Sequence, residues 1–422
     1  MAKYCVPYGK EEACFTLPDS LPAAVIGPKK VPGAEDPIAT AEGALALPLG
    51  FRWEDWAGAR SAAVAVNDKT RPVPHEALLP PLLQRLEALG IPPARITLFI
   101  ANGTHPPMTP DEFDKVLPPG VLGRYPVASH DSDRRGEMAY LGETRRGTPV
   151  WVNRRYREAD LRVVVGNIEP HQFVGFSGGV KTAVIGLGAR ETIDRNHALM
   201  MDPASEIGRY HGNPTREEIE EAGRMVGVHL ALNAIMNTHG QIVRALAGDP
   251  VAVMEAGVPI SQDICMVQVP RPYDLVIASA GGYPKDINLY QAQKGLFHAS
   301  RVVREGGALI LVAACAEGSG SRSWEAWMEG VSSPGEALER FAREPFRVGP
   351  HKAYLIARDV ARARVYLVSG MEAGQVRRLL FRPAESVQAA LEEILPALPA
   401  GARVAILPKA ASTVPRVAGG AL

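Results

Sequence analysis

One pattern recurs along the chain and narrows what it can fold into. A short apolar, β-branched run ends in a polar or Gly-rich cluster, and a helical pattern follows. SAAVAVNDKTRPVP closes a strand at Val66 and continues into Asn67, Asp68, Thr70 and Arg71. HEALLPPLLQRLEALG then spaces its apolar residues three and four apart, the period of a helix with one buried face. RITLFIANGTHPPMT ends at Asn102-Gly103-Thr104-His105, and LRVVVGNIEPHQF ends at Gly166-Asn167. YDLVIASAGGYPKDINLYQAQKGLFHASRVV ends its strand at Gly281-Gly282 before a helix, and GALILVAACAEGSGS ends in a Gly/Ser loop. Strands alternating with helices predict an α/β fold with mainly parallel sheets. Ligands in such sheets bind beyond the carboxyl ends of the strands, where these polar clusters lie.

At ~100–200 residues per domain, the length predicts more than one domain. The composition shifts at residues 266–274, MVQVPRPYD, with two prolines in nine residues. The expectation is two α/β domains, 1–268 and 269–422, with residues 1–60 irregular and the tail after Pro408 open to packing back on the first. The chain carries 46 basic and 46 acidic groups. That balance argues against nucleic acid or an anionic membrane as the main partner. No apolar run approaches the ~20 residues of a membrane span. The start, MAKYCVPYGKEEACF, has no apolar core of a secretory signal, so a cytoplasmic location is expected. Cys5, Cys14, Cys265 and Cys315 form no CxxC pair, which fits a reducing compartment and small buried side chains.

The unusual residues fall at the strand ends. GFSGGVKT at 175–182 nearly matches the phosphate-binding loop G-x-x-x-x-G-K-[ST] but has Val180 where the second glycine belongs. Ser177, Gly178 and Gly179 can still present backbone N–H groups to a phosphate; the plain alternative is a structural tight turn. His105, His171 and His197 each lie at a strand end or near Lys181. Neutral imidazoles there suit metal ligation or acid–base work, although no local zinc spacing links them. His130, His211, His229, His239 and His351 lack such company and read as surface or packing residues. In DINLYQAQKGLF, Asp286 can cap a helix. Gln291 and Lys294 would then share a face suited to a carboxylate, unless that face is merely solvated. In NDKTRP, Arg71 suits bidentate carboxylate binding, and Asp68 can bond a ribose hydroxyl or orient another group. Only 11 of the 46 basic residues are Lys, yet Lys69, Lys181, Lys285 and Lys294 sit in these stretches. Lysine supplies an amine that can lose its proton and act as a nucleophile.

Together these stretches resemble the nickel-pincer lactate racemase family. The carrying motifs are ND-x-TRP at 67–72, NGTH at 102–105, PH-x-x-x-GFSGG-x-K at 170–181, ETI-x-x-NH at 191–197 and GG-x-P-x-D-x-NLYQ-x-x-K at 281–294. Their order and internal spacing agree with the family over residues 60–300.

The resemblance implies an isomerase, a racemase or epimerase of a 2-hydroxy acid, with its active site in the interdomain cleft. It implies a cofactor domain at 1–268 and substrate-binding residues from 269–422. The cofactor would be nickel in a pyridinium-3,5-bisthiocarboxylic acid mononucleotide, joined to Lys181 through a thioamide. His197 would ligate nickel, and His105 and His171 would be the acid–base pair. Arg71, Tyr290, Gln291 and Lys294 would bind substrate; Asp68, Ser177, Gly178 and Gly179 would contact the cofactor. The Cα hydride would pass to the cofactor and return to the other face of a planar keto acid. Partners would be the small-molecule acid and the proteins that make the cofactor and insert nickel; the oligomeric state stays open.

Two departures stand out. Pro106-Pro107 follow His105 where many members have Arg, and Ile185-Gly186 stand where a Pro-Gly is frequent. The substrate therefore stays open among lactate, larger 2-hydroxy acids and sugar acids. The residues alone also allow a metal-dependent hydrolase or lyase using the histidines, or a non-catalytic pyridine-mononucleotide-binding homologue.

Overall fold

The computed structural model describes residues 1–418. The chain divides into two compact units. Lys30–Ile264 form the N-terminal unit, and Met1–Lys29 join Cys265 onward in the C-terminal unit.

The N-terminal unit is built on a six-stranded sheet. Its order is Ile242–Gly248, Leu230–Met236, Leu161–Asn167, Ala62–Asn67, Ile96–Ala101, Val127–Ser129. All neighbours run parallel except the edge strand Ile242–Gly248. Val64, Val66, Leu98, Ile100, Val163 and Val165 bury against Leu45, Leu78, Leu82 and Leu86 of helices Pro37–Ala46 and His75–Ala88. Ala63, Ala65, Phe99 and Val164, on the opposite face, are buried too. Burial on both faces explains why these strands read as continuous apolar runs and not as alternation. The strand order reverses between Ala62–Asn67 and Leu161–Asn167. Such a switch point leaves a crevice beyond the strand ends, here at Asn67 and Asn167.

The C-terminal unit holds a second six-stranded sheet, ordered Arg382–Ala384, Arg364–Val368, Val303–Val312, Tyr273–Ser279, Val404–Leu407, Ala23–Val25. Every pairing is parallel. One face, with Val276, Ala278, Leu309 and Leu311, packs on Leu289 and Leu296 of helix Leu289–Ser300 and Ala353 and Ile356 of helix His351–Arg362. The other, with Leu275, Ile277, Ile310 and Val312, is covered by Leu391 and Ile394 of helix Val387–Ile394 and by Val6, Phe15 and Leu17.

Those last three residues correct the reading of residues 1–60 as irregular and of 1–29 as part of the first domain. Ala2–Tyr8 and Glu11–Leu17 form an antiparallel hairpin on the C-terminal sheet, and Ala23–Val25 is that sheet's edge strand. The tail differs from expectation as well. Val414–Val417 pairs with Met266–Val269, inside the C-terminal unit. Asp286 does not cap a helix. Its Oδ2 accepts from the backbone N–H groups of Gly9 at 2.7 Å and Ala314 at 3.1 Å, tying the hairpin turn to the strand ends. Asn288 caps helix Leu289–Ser300 instead, accepting from Gln291 N–H at 3.1 Å. Cys5 and Cys14 face each other across the hairpin, away from the core, and are joined as a disulfide. Of the four cysteines, only Cys315 is the buried small side chain that was expected. No helix among the described residues is long and apolar enough to cross a membrane.

Val6, Phe15 and Leu17 would each contribute about 1.5–3 kcal/mol by burial, a sum comparable to the stability of a whole domain. Deleting residues 1–29 should strip protection from Tyr273–Ser279 and Val404–Leu407 in hydrogen exchange while Ala62–Asn67 keeps its own. Equal loss in both units would contradict this division.

Candidate active site

The first polar cluster hangs on strand Ala62–Asn67. Asp68, 4% exposed, accepts at Oδ1 from the Thr70 N–H at 3.1 Å and the Thr70 hydroxyl at 2.7 Å. Its Oδ2 faces His105 Nδ1 at 2.7 Å. Burial alone would raise the Asp68 carboxyl. Hydrogen bonds from His105 and Thr70 and the charge of Arg71 instead hold it below its ordinary value. An ionised Asp68 keeps the proton on Nδ1 of His105 and leaves Nε2 as a base. The His105 side chain is 42% exposed, so that nitrogen is within reach of a ligand. Gly103 makes the turn before it at φ +58°, and its N–H donates to Gly186 C=O at 3.0 Å.

The second cluster follows Leu161–Asn167. Two-residue strands Pro170–His171 and Gly175–Phe176 pair, and the chain turns through Ser177-Gly178-Gly179. Gly178 and Gly179 take φ of +97° and +56°. A Cβ on Gly178 would lie 2.8 Å from Ile168 Cγ1. Two of the backbone donors expected to cradle a phosphate are taken within the protein. Ser177 N–H donates to Glu169 C=O at 2.8 Å, and Gly179 N–H to Asn233 Oδ1 at 2.7 Å. What the turn does offer is the Ser177 hydroxyl, buried and with no hydrogen-bond partner among the described residues. Val180 packs on Gly223, and helix Lys181–Val184 is a single turn. The likeness to a phosphate-binding loop therefore ends at Gly179.

Lys181 is 8% exposed. Burial drives its amine down to about 7, helped by the charges of Arg71 and Arg216 and opposed by Glu169 and Asp68. Burial likewise brings His197 down to about 3, with Lys181 and Arg71 pushing the same way. His197 Nδ1 lies 3.2 Å from Asn196 Oδ1. The amide oxygen fixes the proton on Nδ1, so Nε2 presents a lone pair. His171 Nδ1 accepts from Val174 N–H at 3.4 Å. Phe173 packs edge-on against the rings of both His171, at 4.8 Å, and His197, at 5.0 Å. Thus the N-terminal unit gathers Asp68, Arg71, His105, His171, Ser177, Lys181 and His197 around the strand ends.

Tyr290, Gln291 and Lys294 belong to the C-terminal unit. Helix Leu289–Ser300 buries every residue except these three, which therefore form its accessible face.

Comparison with known proteins decides the family. The lactate racemase N-terminal domain model matches residues 8–208, and the lactate racemase C-terminal domain model matches 269–414. The chain belongs to the lactate racemase family. The lactate racemase of Thermoanaerobacterium thermosaccharolyticum is 28% identical over 99% of this chain and 100% of its own. That of Lactiplantibacillus plantarum is 29% identical over 87% of this chain and 88% of its own. The solved structure of the T. thermosaccharolyticum lactate racemase apoprotein superposes with a TM-score of 0.91 at 27% identity, covering 98% of this chain and 100% of that one. As a member of this racemase family, the chain is an isomerase.

Sequence reading missed the residues that hold the lactate racemase motifs in shape. Arg216 is 1% exposed; its Nη1 donates to Phe176 C=O and Gly178 C=O, each at 3.1 Å, and its Nε to Glu220 at 2.8 Å. In TREEIEEAGRMV it looks like one more charge on a solvated helix face, and only the fold turns it inward. Asn233 did leave a signal, as a polar residue inside the apolar strand Leu230–Met236, where it is fully buried.

Three outcomes are expected here. Competitive acetylation read by mass spectrometry should give Lys181 a titration midpoint near 7, as its depressed value requires. The sign for stability follows from linkage. The folded state holds a charged, buried amine below about 7, and this penalty is relieved as pH rises from about 7 toward the ordinary 10.5. Lys181→Met should therefore stabilise the cofactor-free protein more at pH 6 than at pH 9. Arg216→Met, which breaks a buried ion pair and frees two carbonyls, should cost about 3 kcal/mol in urea unfolding.

Proposed function

We propose that this chain inverts the Cα centre of a 2-hydroxy acid, lactate or a larger acid, using nickel in a pyridinium bisthiocarboxylate mononucleotide attached at Lys181. The observation that carries the reading is the Lys181 amine, buried and held near neutrality. An amine in that state is a nucleophile at cellular pH, which a structural lysine has no need to be.

The donor set fits the group. His197 is neutral with a lone pair on Nε2, as a nickel ligand requires. The orphaned Ser177 hydroxyl offers a hydrogen bond to a group beside Lys181. When bound, the nickel pincer supplies the hydride acceptor and donor that the side chains lack.

This chain's residues handle binding and protons. The 2-carboxylate makes Cα a poor carbon acid, so the proton to be moved is the hydroxyl proton. His105 Nε2 takes it from one enantiomer, and the Asp68 carboxylate at Nδ1 stabilises the imidazolium that forms. His171 serves the other enantiomer, whose hydroxyl points the opposite way. Arg71 grips the carboxylate as a fork. In the C-terminal unit, Tyr290, Gln291 and Lys294, the accessible face of their helix, offer polar groups suited to the oxygens of a 2-hydroxy acid.

A metal-dependent hydrolase draws less support. Among the described residues, the three-group cluster of His, Cys, Asp or Glu close enough to share an ion is Cys5, Glu12 and Cys14, whose two thiols are spent in the disulfide.

The test is inversion of enantiopure 2-hydroxy acids by cofactor-loaded protein in deuterated water. Chirality should invert while the original hydrogen stays on Cα. Deuterium at Cα would mean proton abstraction there, and the proposal would be wrong.

A further inference from the structure

The candidate substrate residues follow a carboxyl end of the C-terminal sheet, where strand Tyr273–Ser279 runs into Gly281-Gly282 and the Tyr290 helix. The amino end of the same sheet carries something else. A cavity of about 600 Å³ opens there, within the C-terminal unit. Arg364 and Arg382 begin their strands at it, and Glu305 lies near the start of Val303–Val312. Among the described residues, four arginines line the cavity, Arg362, Arg364, Arg377 and Arg382, against one carboxylate, Glu305. Glu305 lies 3.6 Å from Arg362 Nε, and its side chain is 77% exposed. An ion pair so open to water offsets one guanidinium only weakly. Arg382 pairs in register with Tyr366, two residues on from Arg364, so Arg364 and Arg382 project from one face of the sheet. The Arg382 guanidinium stands 5.8 Å from the Tyr366 ring centroid. Val360 and Leu380, both half-buried, add apolar wall.

Four positive groups less one negative leave a local excess of three charges. The whole chain carries 46 basic and 46 acidic groups, so this excess is a local segregation and not the mark of a basic protein. Like charges around one hollow repel each other, and an anion between them relieves the repulsion. Guanidinium forks take phosphate or carboxylate oxygens two at a time. The cavity has the size of a small-molecule site. A bare inorganic anion would fill little of it and leave Val360 and Leu380 in water. A ligand with an apolar body and two or more anionic groups would both fill and neutralise it.

We propose that this cavity binds a small organic polyanion of the nucleoside-polyphosphate class. The phosphates sit among the four guanidinia, and the base lies against Val360 and Leu380. None of these residues belongs to the candidate active site, and the inference does not depend on which 2-hydroxy acid the chain inverts.

Full-length protein would be titrated calorimetrically with ADP, adenosine and pyrophosphate, and hydrogen exchange compared with and without ADP. ADP should bind with a Kd below ~1 mM, pyrophosphate at least ~10-fold more weakly, and adenosine not measurably. ADP should slow exchange across residues 360–382. Arg364→Gln and Arg382→Gln should each weaken ADP at least ~10-fold, with the loss shrinking at high salt. Arg378→Gln, beside the cavity but outside its lining, should stay within ~2-fold of the native affinity. If either cavity variant does not fold, the native ranking of the three ligands and the exchange map decide. No saturable binding of ADP by ~5 mM overturns the inference. So does pyrophosphate that binds as tightly as ADP, since the apolar wall then has no part. Protection confined to the N-terminal unit, with both cavity variants binding ADP as the native protein does, overturns it too.

Discussion

Burial of the Lys181 amine among other cations is the constraint around which the N-terminal unit is arranged. An ammonium loses its hydration there and meets Arg71 and Arg216 besides. The conflict lowers the amine to about 7, with Glu169 and Asp68 offsetting it only in part. The same field keeps His197 neutral. The lowered Lys181 amine and the lowered His197 imidazole thus share one cause, burial beside other cations. Asp68 stays ionised in this setting because His105 and Thr70 donate to it, and that carboxylate in turn orients the His105 imidazole.

Much of this was legible in the sequence. Strands buried on both faces have to be apolar throughout, so AAVAVN, ITLFIA, LRVVVGN and YDLVIAS announce themselves and their ends. The residues at those ends carry unusual chemistry because the ends are where ligands are met. Residues that act on other residues left weaker traces. Arg216 turns inward from a helix whose neighbours are ordinary surface charges. Phe173 reads as one more aromatic residue until it lies against two imidazoles. The Ser177 and Gly179 amides were expected to face a ligand. Which carbonyl or amide they would meet first depended on Glu169 and on Asn233, the latter 54 residues away from Gly179.

The N-terminal hairpin was illegible for a different reason. CVPYGKEEACF is short, its alternation is broken by Pro7 and two glutamates, and its partners lie beyond residue 264. Local pattern speaks about local structure, and these residues are defined by a sheet they reach only in space. The same holds for Asp286. Its position before a helix suggested a cap, while its carboxylate binds backbone N–H groups from Gly9 and Ala314.

That arrangement sets an order of assembly on the ribosome. The hairpin and strand Ala23–Val25 emerge well before their partners, for their sheet begins at Tyr273 and the neighbour of Ala23–Val25 is Val404–Leu407. At ~5–20 residues per second, the leading segment waits roughly 10–50 s while the whole N-terminal unit is made and can close on itself. The apolar face of Val6, Phe15 and Leu17 is uncovered throughout that interval. The C-terminal unit can be completed only by bringing Ala2–Val25 against strands made long after them, so its folding waits until Val404–Leu407 has emerged.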